Sequence, residues 1–309
     1  MISGDPRRAL GAEPVGLSPP EPESSSRFSD GLRYRIEIPS CEGPQVLRAV
    51  LDEAETRSVP LRRVSQGSGV WMLTDAELTD MALLGAKHRI EVSLFLGPRG
   101  AWDTGGQSLA TAATGGVARG LDAVAWCVAE ARRGVRAGIR SFLVTDLGVL
   151  DVLGRLRAAG ELPLNLVLKT SVLLPAANAA TARVLEGLGA STINVATDLG
   201  VAHLAEIRAA VSCPLDTYVE VPDDQGGFVR FYEVPDIIRA AAPVYIKLGV
   251  RNAPNIYPTG HHLVDIACAL GRERVRRAEL CLTIVKDLAP ELIEDEGEPA
   301  PADLGIPEV

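Results

Sequence analysis

The chain is poor in the features that would make its chemistry easy to read. Its five cysteines, Cys41, Cys127, Cys213, Cys268 and Cys281, form no CxxC pair. An odd, scattered set argues against a disulfide framework and against the grouped thiolates of an iron–sulfur cluster, so no such cofactor is expected. No apolar run approaches the roughly 20 residues of a membrane span, and the N-terminus has no apolar signal core; a cytoplasmic protein without a membrane partner is expected. A net charge of −9 leaves no broad phosphate-binding face, so nucleic acid is not an expected partner either. No strand leads into GxGxxG and GxxxxGK[ST] is absent, which argues against a dinucleotide or P-loop fold. HExxH and GxSxG are absent too: a divalent metal stays open, but no spacing fixes one, and no elbow supports Ser65 or Ser68 as a nucleophile.

What is present is an ordinary globular composition, 47% hydrophobic and 23% charged, over 309 residues, enough to bury a large core. Residues 1–30 are rich in Pro, Ser and Glu and read as a flexible leader, and the acidic, proline-rich residues 291–309 read as a flexible tail. Between them, over residues 31–290, one grammar repeats: a short β-rich run, a polar or glycine-containing loop, then a helical stretch. The runs are Tyr34–Pro39, Leu61–Ser65, Ile90–Leu96, Ser141–Asp146, Asn165–Thr170, Thr192–Thr197, Asp216–Val221 and Val244–Gly249. Stretches such as "GPQVLRAVLDEAETR" and "LDAVAWCVAEARRGVRAG" supply the helices. Alternation with crossovers of this length implies parallel strands, and eight units in this span predict a single-domain (β/α)8 barrel. An open doubly wound sheet is the alternative, and "LRRVS" is the weakest strand because it is short and polar.

In such a barrel the site lies at the C-terminal ends of the strands, which turns the strand list into a candidate list. The loops offer Gln66 and Trp71 after the second run, Arg99 and Trp102 after the third, and Arg251, Asn252, Tyr257 and His261 after the eighth. Asp146, Asp198, Asp75 and the Asp223/Asp224 pair have a plainer role as helix caps. Charges inside apolar strands are harder to dismiss: Glu37, Lys169, Glu220 and Lys247 each interrupt one. The outer face of a barrel strand meets apolar helices, so these charges should point inward. Glu220 and Lys247 lie late on neighbouring strands and are expected to sit close together. Either an ion pair or a catalytic role would account for them.

Three stretches of the second half resemble the peptidase U32 family: "VLLPAANAATARVLEGLGASTINVATDLGVAHLAEIRAAV", "CPLDTYVEV" and "YIKLGVRNAPNIY", within about residues 165–280. The resemblance implies a (β/α)8-like barrel and peptidase activity. The chain departs from the family where Glu220 stands at a histidine position followed by "PDDQGG", where Leu248 and Gly249 replace an acidic residue, and where the cluster-binding cysteines of the hydroxylation branch are missing. The expectation is an enzyme acting on a small or peptide-like substrate, with Lys247, Glu220, His261 and Lys169 as catalytic candidates. Arg251, Asn252, Tyr257, Arg99, Trp102, Trp71, Gln66 and Glu37 are the substrate-binding candidates. Hydrolysis would use Glu220 or His261 to activate water, with Arg251 holding a carboxylate. A Schiff-base lyase would use Lys247 or Lys169, and a non-catalytic ligand-binding barrel is the third reading. A homo-oligomer stays open.

Overall fold

Parallel strands joined by helices either leave two sheet edges exposed or close on themselves, and here they close. The computed structural model describes residues 23–97, 115–174, 176–293 and 302–309. Strands β1 (Tyr34–Ile38), β2 (Leu61–Ser65), β3 (Glu91–Phe95), β4 (Ser141–Val144), β5 (Val167–Thr170), β6 (Thr192–Asn194), β7 (Leu215–Glu220) and β8 (Val244–Leu248) form a closed barrel in chain order. Between and after them run α1 (Pro44–Thr56), α2 (Asp75–His88), α3 (Gly120–Arg136), α4 (Leu147–Ala158), α5 (Ala179–Gly187), α6 (Val201–Ala210), α7 (Val234–Ala241) and α8 (Val264–Leu288). Closure comes from β1 pairing parallel with β8, from Tyr34↔Val244 to Glu37↔Lys247. The protein is a (β/α)8 barrel, and the open-sheet alternative falls.

The alternation of each strand explains the sequence. Ile36 and Ile38, Val64, Val92 and Leu94, Phe142 and Val144, Leu168, Ile193, Ile246 and Leu248 are buried against the helices in one continuous apolar shell. Their neighbours along each strand point to the barrel axis instead. That is why "LRRVS" forms β2 despite its polarity: Arg63 and Ser65 face a polar interior, while Leu61 and Val64 join the shell. β6 is shorter than its apolar run, because after Asn194 the chain leaves the ladder and Val195 makes only an isolated bridge to Ala176.

The helix starts follow their caps. Asp146 accepts from Val149 N at 2.9 Å, as expected, and Asn178 accepts from Thr181 N at 2.9 Å. α2 is capped by Thr74 in a capping box with Glu77, not by Asp75, and α6 is preceded by Gly200 rather than by Asp198. No described helix is long and apolar enough to cross a membrane.

Of the two ends expected to be flexible, residues 23–30 and 302–309 are packed on the barrel's N-terminal floor. Phe28 meets Tyr245 edge-on at 5.0 Å between centroids and carries the Arg35 guanidinium 3.9 Å above its ring. Leu304 is buried beside both rings, Asp303 pairs with Arg35 at 2.9 Å, and Gly305 N donates to Glu91 Oε2 at 3.2 Å. A Cβ at position 305 would lie 2.7 Å from the Arg140 carbonyl oxygen, so only glycine lets the segment approach this closely. Composition alone suggested disorder, yet a few apolar residues and one carboxylate are enough to dock a short segment. Residues 1–22 and 294–301 lie outside the described residues.

Candidate functional site

The barrel interior holds a compact array of opposite charges. Arg63 on β2 pairs with Glu91 of β3 at 2.8 Å, Asp216 of β7 at 3.0 Å and Glu37 of β1 at 3.3 Å. Lys169 on β5 donates to Glu37 Oε2 at 2.8 Å and to Asp216 Oδ2. Lys247 on β8 reaches Glu37 Oε1 at 3.4 Å. Three cations thus share three carboxylates, so the cluster is neutral as a whole, which is how charges survive burial. Burial alone would raise the Glu37 carboxyl, but Lys169, Lys247 and Arg63 hold it well below the usual carboxylate range. Burial pulls the Lys169 ammonium down, with Asp216 and Glu37 opposing.

Lys247 is the uppermost member and differs from the others in its surroundings. Its Nζ lies 4.3 Å from the centroid of the Tyr218 ring, a cation–π contact. With the Asn194 amide turned so that both its ends are satisfied, Asn194 Oδ1 accepts from Lys247 Nζ at 2.8 Å and from Val172 N at 3.2 Å. Above these groups opens a cavity of about 340 Å3 at the C-terminal mouth, bounded among the described residues by Ser40, Ser65, Gln66, Ser171, Asn194, Tyr218, Asp224, Gln225, Lys247 and Tyr257. Burial pushes the Asp224 carboxyl up from its usual range, and burial together with Glu37 pushes the Tyr218 phenol up, which keeps it neutral.

The rim of the cavity is fixed by hydrogen bonds between loops. The Glu42 carboxylate, after β1, accepts from Gly67 N at 2.7 Å and Ser68 N at 2.9 Å, after β2. Ser68 Oγ accepts in turn from Thr259 N at 2.9 Å, after β8. Ser40 Oγ and Tyr257 Oη share a short hydrogen bond. A Cβ at Gly67 would meet the Tyr257 ring at 2.6 Å, so glycine is what lets the ring cross that loop.

The predicted residues divide into three groups. Lys247, Gln66 and Tyr257 line the cavity, with Glu37 and Lys169 fully buried beneath it. Glu220, expected beside Lys247, is not there. At a register shift at the end of β7 its Oε1 accepts from Arg251 N at 3.0 Å, and its Oε2 pairs with Arg277 of α8 at 3.4 Å. The physical reason is that the register pairs Tyr218, not Glu220, with Lys247. His261 is 84% exposed and pairs with Glu77 at 3.3 Å. Arg251 and Asn252 sit on the surface, both engaged by Asp223. Trp71 is partly exposed outside the cavity lining, and its ring lies where a side chain at Gly69 or Gly97 would go. Arg99 and Trp102 lie outside the described residues.

Sequence reasoning missed Arg63, Glu91, Asp216, Tyr218 and Asn194. The signal was there: each stands on the axial side of its strand in register with another polar residue, as in Arg63↔Glu91, Asn194↔Asp216 and Tyr218↔Lys247. Among the described residues no group of three or more His, Cys, Asp or Glu side chains could hold a metal ion.

No family model and no curated protein matches the chain. Solved structures with the same architecture do. A Coccidioides immitis protein solved as a candidate fructose-1,6-bisphosphate aldolase is 13% identical, with a TM-score of 0.50 over 84% of this chain and 93% of its own. A U32 peptidase is 17% identical, with a TM-score of 0.40 over 76% of this chain and 98% of its own. A 3-hexulose-6-phosphate synthase is 15% identical, with a TM-score of 0.39 over 79% and 97%. At these identities the likeness is one of fold, and it spans barrels of several chemistries.

Proposed function

We propose that the protein is an enzyme that makes or breaks a bond next to a carbonyl group of a small polar substrate, through a Schiff base at Lys247. The observation that carries this reading is the placement of one amine at the floor of a cavity, held by a single carboxylate contact at 3.4 Å. A Schiff-base lysine is activated by desolvation or by a neighbouring cation. Lys247 is buried, and Lys169 and Arg63 share Glu37 with it. The chemistry also suits the electrostatics. An ammonium and a carbonyl give an iminium and water, so the positive charge above Glu37 is conserved and the cluster stays neutral. The Tyr218 ring faces that charge before and after. Asp224, with its raised carboxyl, is the lining group suited to passing a proton to or from the substrate. Hydroxyls and amides from Ser40, Ser65, Gln66 and Asn194 suit a hydroxylated substrate.

The hydrolytic alternative, a peptidase like those of the U32 family, would have Glu220 or His261 activate water and Arg251 clamp a carboxylate. It has less support, because Glu220 is engaged by Arg277 and the Arg251 backbone while His261 projects into solvent.

The test is reductive trapping. The chain has four lysines, Lys87, Lys169, Lys247 and Lys286, so adducts are easily mapped. Dihydroxyacetone, glyceraldehyde or pyruvate with borohydride should give an adduct on the Lys247 peptide that disappears in Lys247→Met. Adducts confined to Lys87 and Lys286, or an undiminished total in Lys247→Met, would overturn the reading.

A further inference from the structure

Lys169 is a buried amine that this chemistry leaves without a role. It is fully buried and does not line the cavity, so a substrate cannot reach it. Its contacts determine what is left for Lys247. Lys169 Nζ takes Glu37 Oε2 at 2.8 Å, and it also binds Asp216 Oδ2. Arg63 takes Asp216 Oδ1 at 3.0 Å. Glu37 Oε1 already accepts from Ser65 Oγ at 2.8 Å before Lys247 meets it at 3.4 Å. Glu91, the third carboxylate, is held by Arg63, by Ser141 Oγ at 2.7 Å and by Gly305 N.

We propose that Lys169 is a positioning residue: it occupies Glu37 and Asp216, so that Lys247 above it keeps one long carboxylate contact and is left available to a substrate. The proposal rests on the Schiff-base reading for its purpose, but not for its test. The groups facing Lys247 are Glu37 from β1, Ser65 and Arg63 from β2, Lys169 from β5, Asn194 from β6, and Asp216 and Tyr218 from β7, with Asp224 lining the same cavity. Removing Lys169 leaves Glu37 and Asp216 each one cation short, with Arg63 still holding both. With more negative charge beneath it, Lys247, which already meets Glu37 at 3.4 Å, would then hold its proton to higher pH. Neutralising Asp216 works the other way: Lys169 still donates to Glu37, the negative charge below Lys247 falls, and the amine deprotonates earlier.

Reductive methylation with formaldehyde and cyanoborohydride modifies only neutral amines, and peptide mass spectrometry reads each lysine separately. It needs no turnover, and the exposed Lys87 and Lys286 serve as internal references. Titrated over roughly pH 6 to 10, the half-methylation point of Lys247 should rise by about one pH unit or more in Lys169→Met. It should fall in Asp216→Asn and stay near wild type in Lys169→Arg, with the two reference lysines unmoved. Unchanged points in both charge variants, or shifts in the same direction, would overturn the proposal. If Lys169→Met does not fold, Asp216→Asn decides by the direction of its shift. Loss of fold in both would assign Lys169 to architecture and overturn it as well. A wild-type protein that forms no carbonyl adduct but shows the opposed shifts would sink the Schiff-base reading alone.

Discussion

The two ends of the barrel treat a buried cation differently. At the N-terminal floor, Arg35 uses every nitrogen: Nε donates to Asp30 at 3.2 Å, Nη1 to Tyr245 Oη at 3.1 Å and Nη2 to Asp303 at 2.9 Å. Phe28 stacks on the guanidinium, and residues 302–309 cover the floor. Burial opposes the charge, but Tyr245 and Asp303 raise the guanidinium's affinity for its proton further. At the C-terminal mouth, Lys247 has one carboxylate at 3.4 Å, an amide oxygen and the face of a ring, and beyond them an open cavity. The same strand alternation builds both ends. At the floor Arg35 is saturated with partners, as a structural ion pair should be, while the mouth leaves an amine with unused capacity.

The sharpest way to break that contrast is at Glu37, the carboxylate that joins the mouth to the middle of the barrel. Glu37→Gln leaves Lys169, Lys247 and Arg63 with one negative charge fewer, and urea unfolding should show a loss of about 3–5 kcal/mol, the usual cost of orphaning a buried charge. The acid limb sharpens the point. A folded carboxyl held below its ordinary value of 4.5 contributes stability that is present above that value and lost as pH falls through the folded one. The wild type should therefore keep this contribution through mildly acid pH, and Glu37→Gln should show a flatter decline below about pH 4. A variant within about 1 kcal/mol of wild type with an unchanged acid limb would mean that the interior charges are not coupled as described.

A smaller effect is expected at the floor. Deleting residues 302–309 removes Leu304 from Phe28 and Tyr245, Asp303 from Arg35 and the Gly305 N–H from Glu91, and should cost about 2–4 kcal/mol. Gly305→Ala should reproduce part of that loss, because its methyl would press on the Arg140 carbonyl. If neither change moves the urea midpoint, the segment is an ornament rather than a closure.

The smallest effect concerns the thiols. Burial pushes Cys127, Cys213 and Cys281 up to about 12, and Cys41 well above the ordinary thiol range. Alkylation by iodoacetamide at neutral pH should be slow in the folded protein and rapid only in denaturant. Fast labelling of any of these four in the native state would show that the segment carrying it opens locally.

By itself the sequence determined the barrel. Apolar residues at every second strand position, and caps such as Asp146, specify strands and helices locally, and eight repeats leave few ways to bury one apolar face. It also determined that Glu37, Lys169 and Lys247 face the axis, since the other face of each strand meets apolar helices. It could not determine which charge meets which. Lys247 and Glu37 are 210 positions apart and become neighbours only because β8 closes on β1, and the register shift in β7 sends Glu220 elsewhere. Nor could composition show that a tail rich in proline and acid docks, because docking depends on a few side chains meeting a ready floor. Direction along a strand is a local property written in the sequence. Partnership across a closed barrel depends on register and closure, which only the tertiary structure decides.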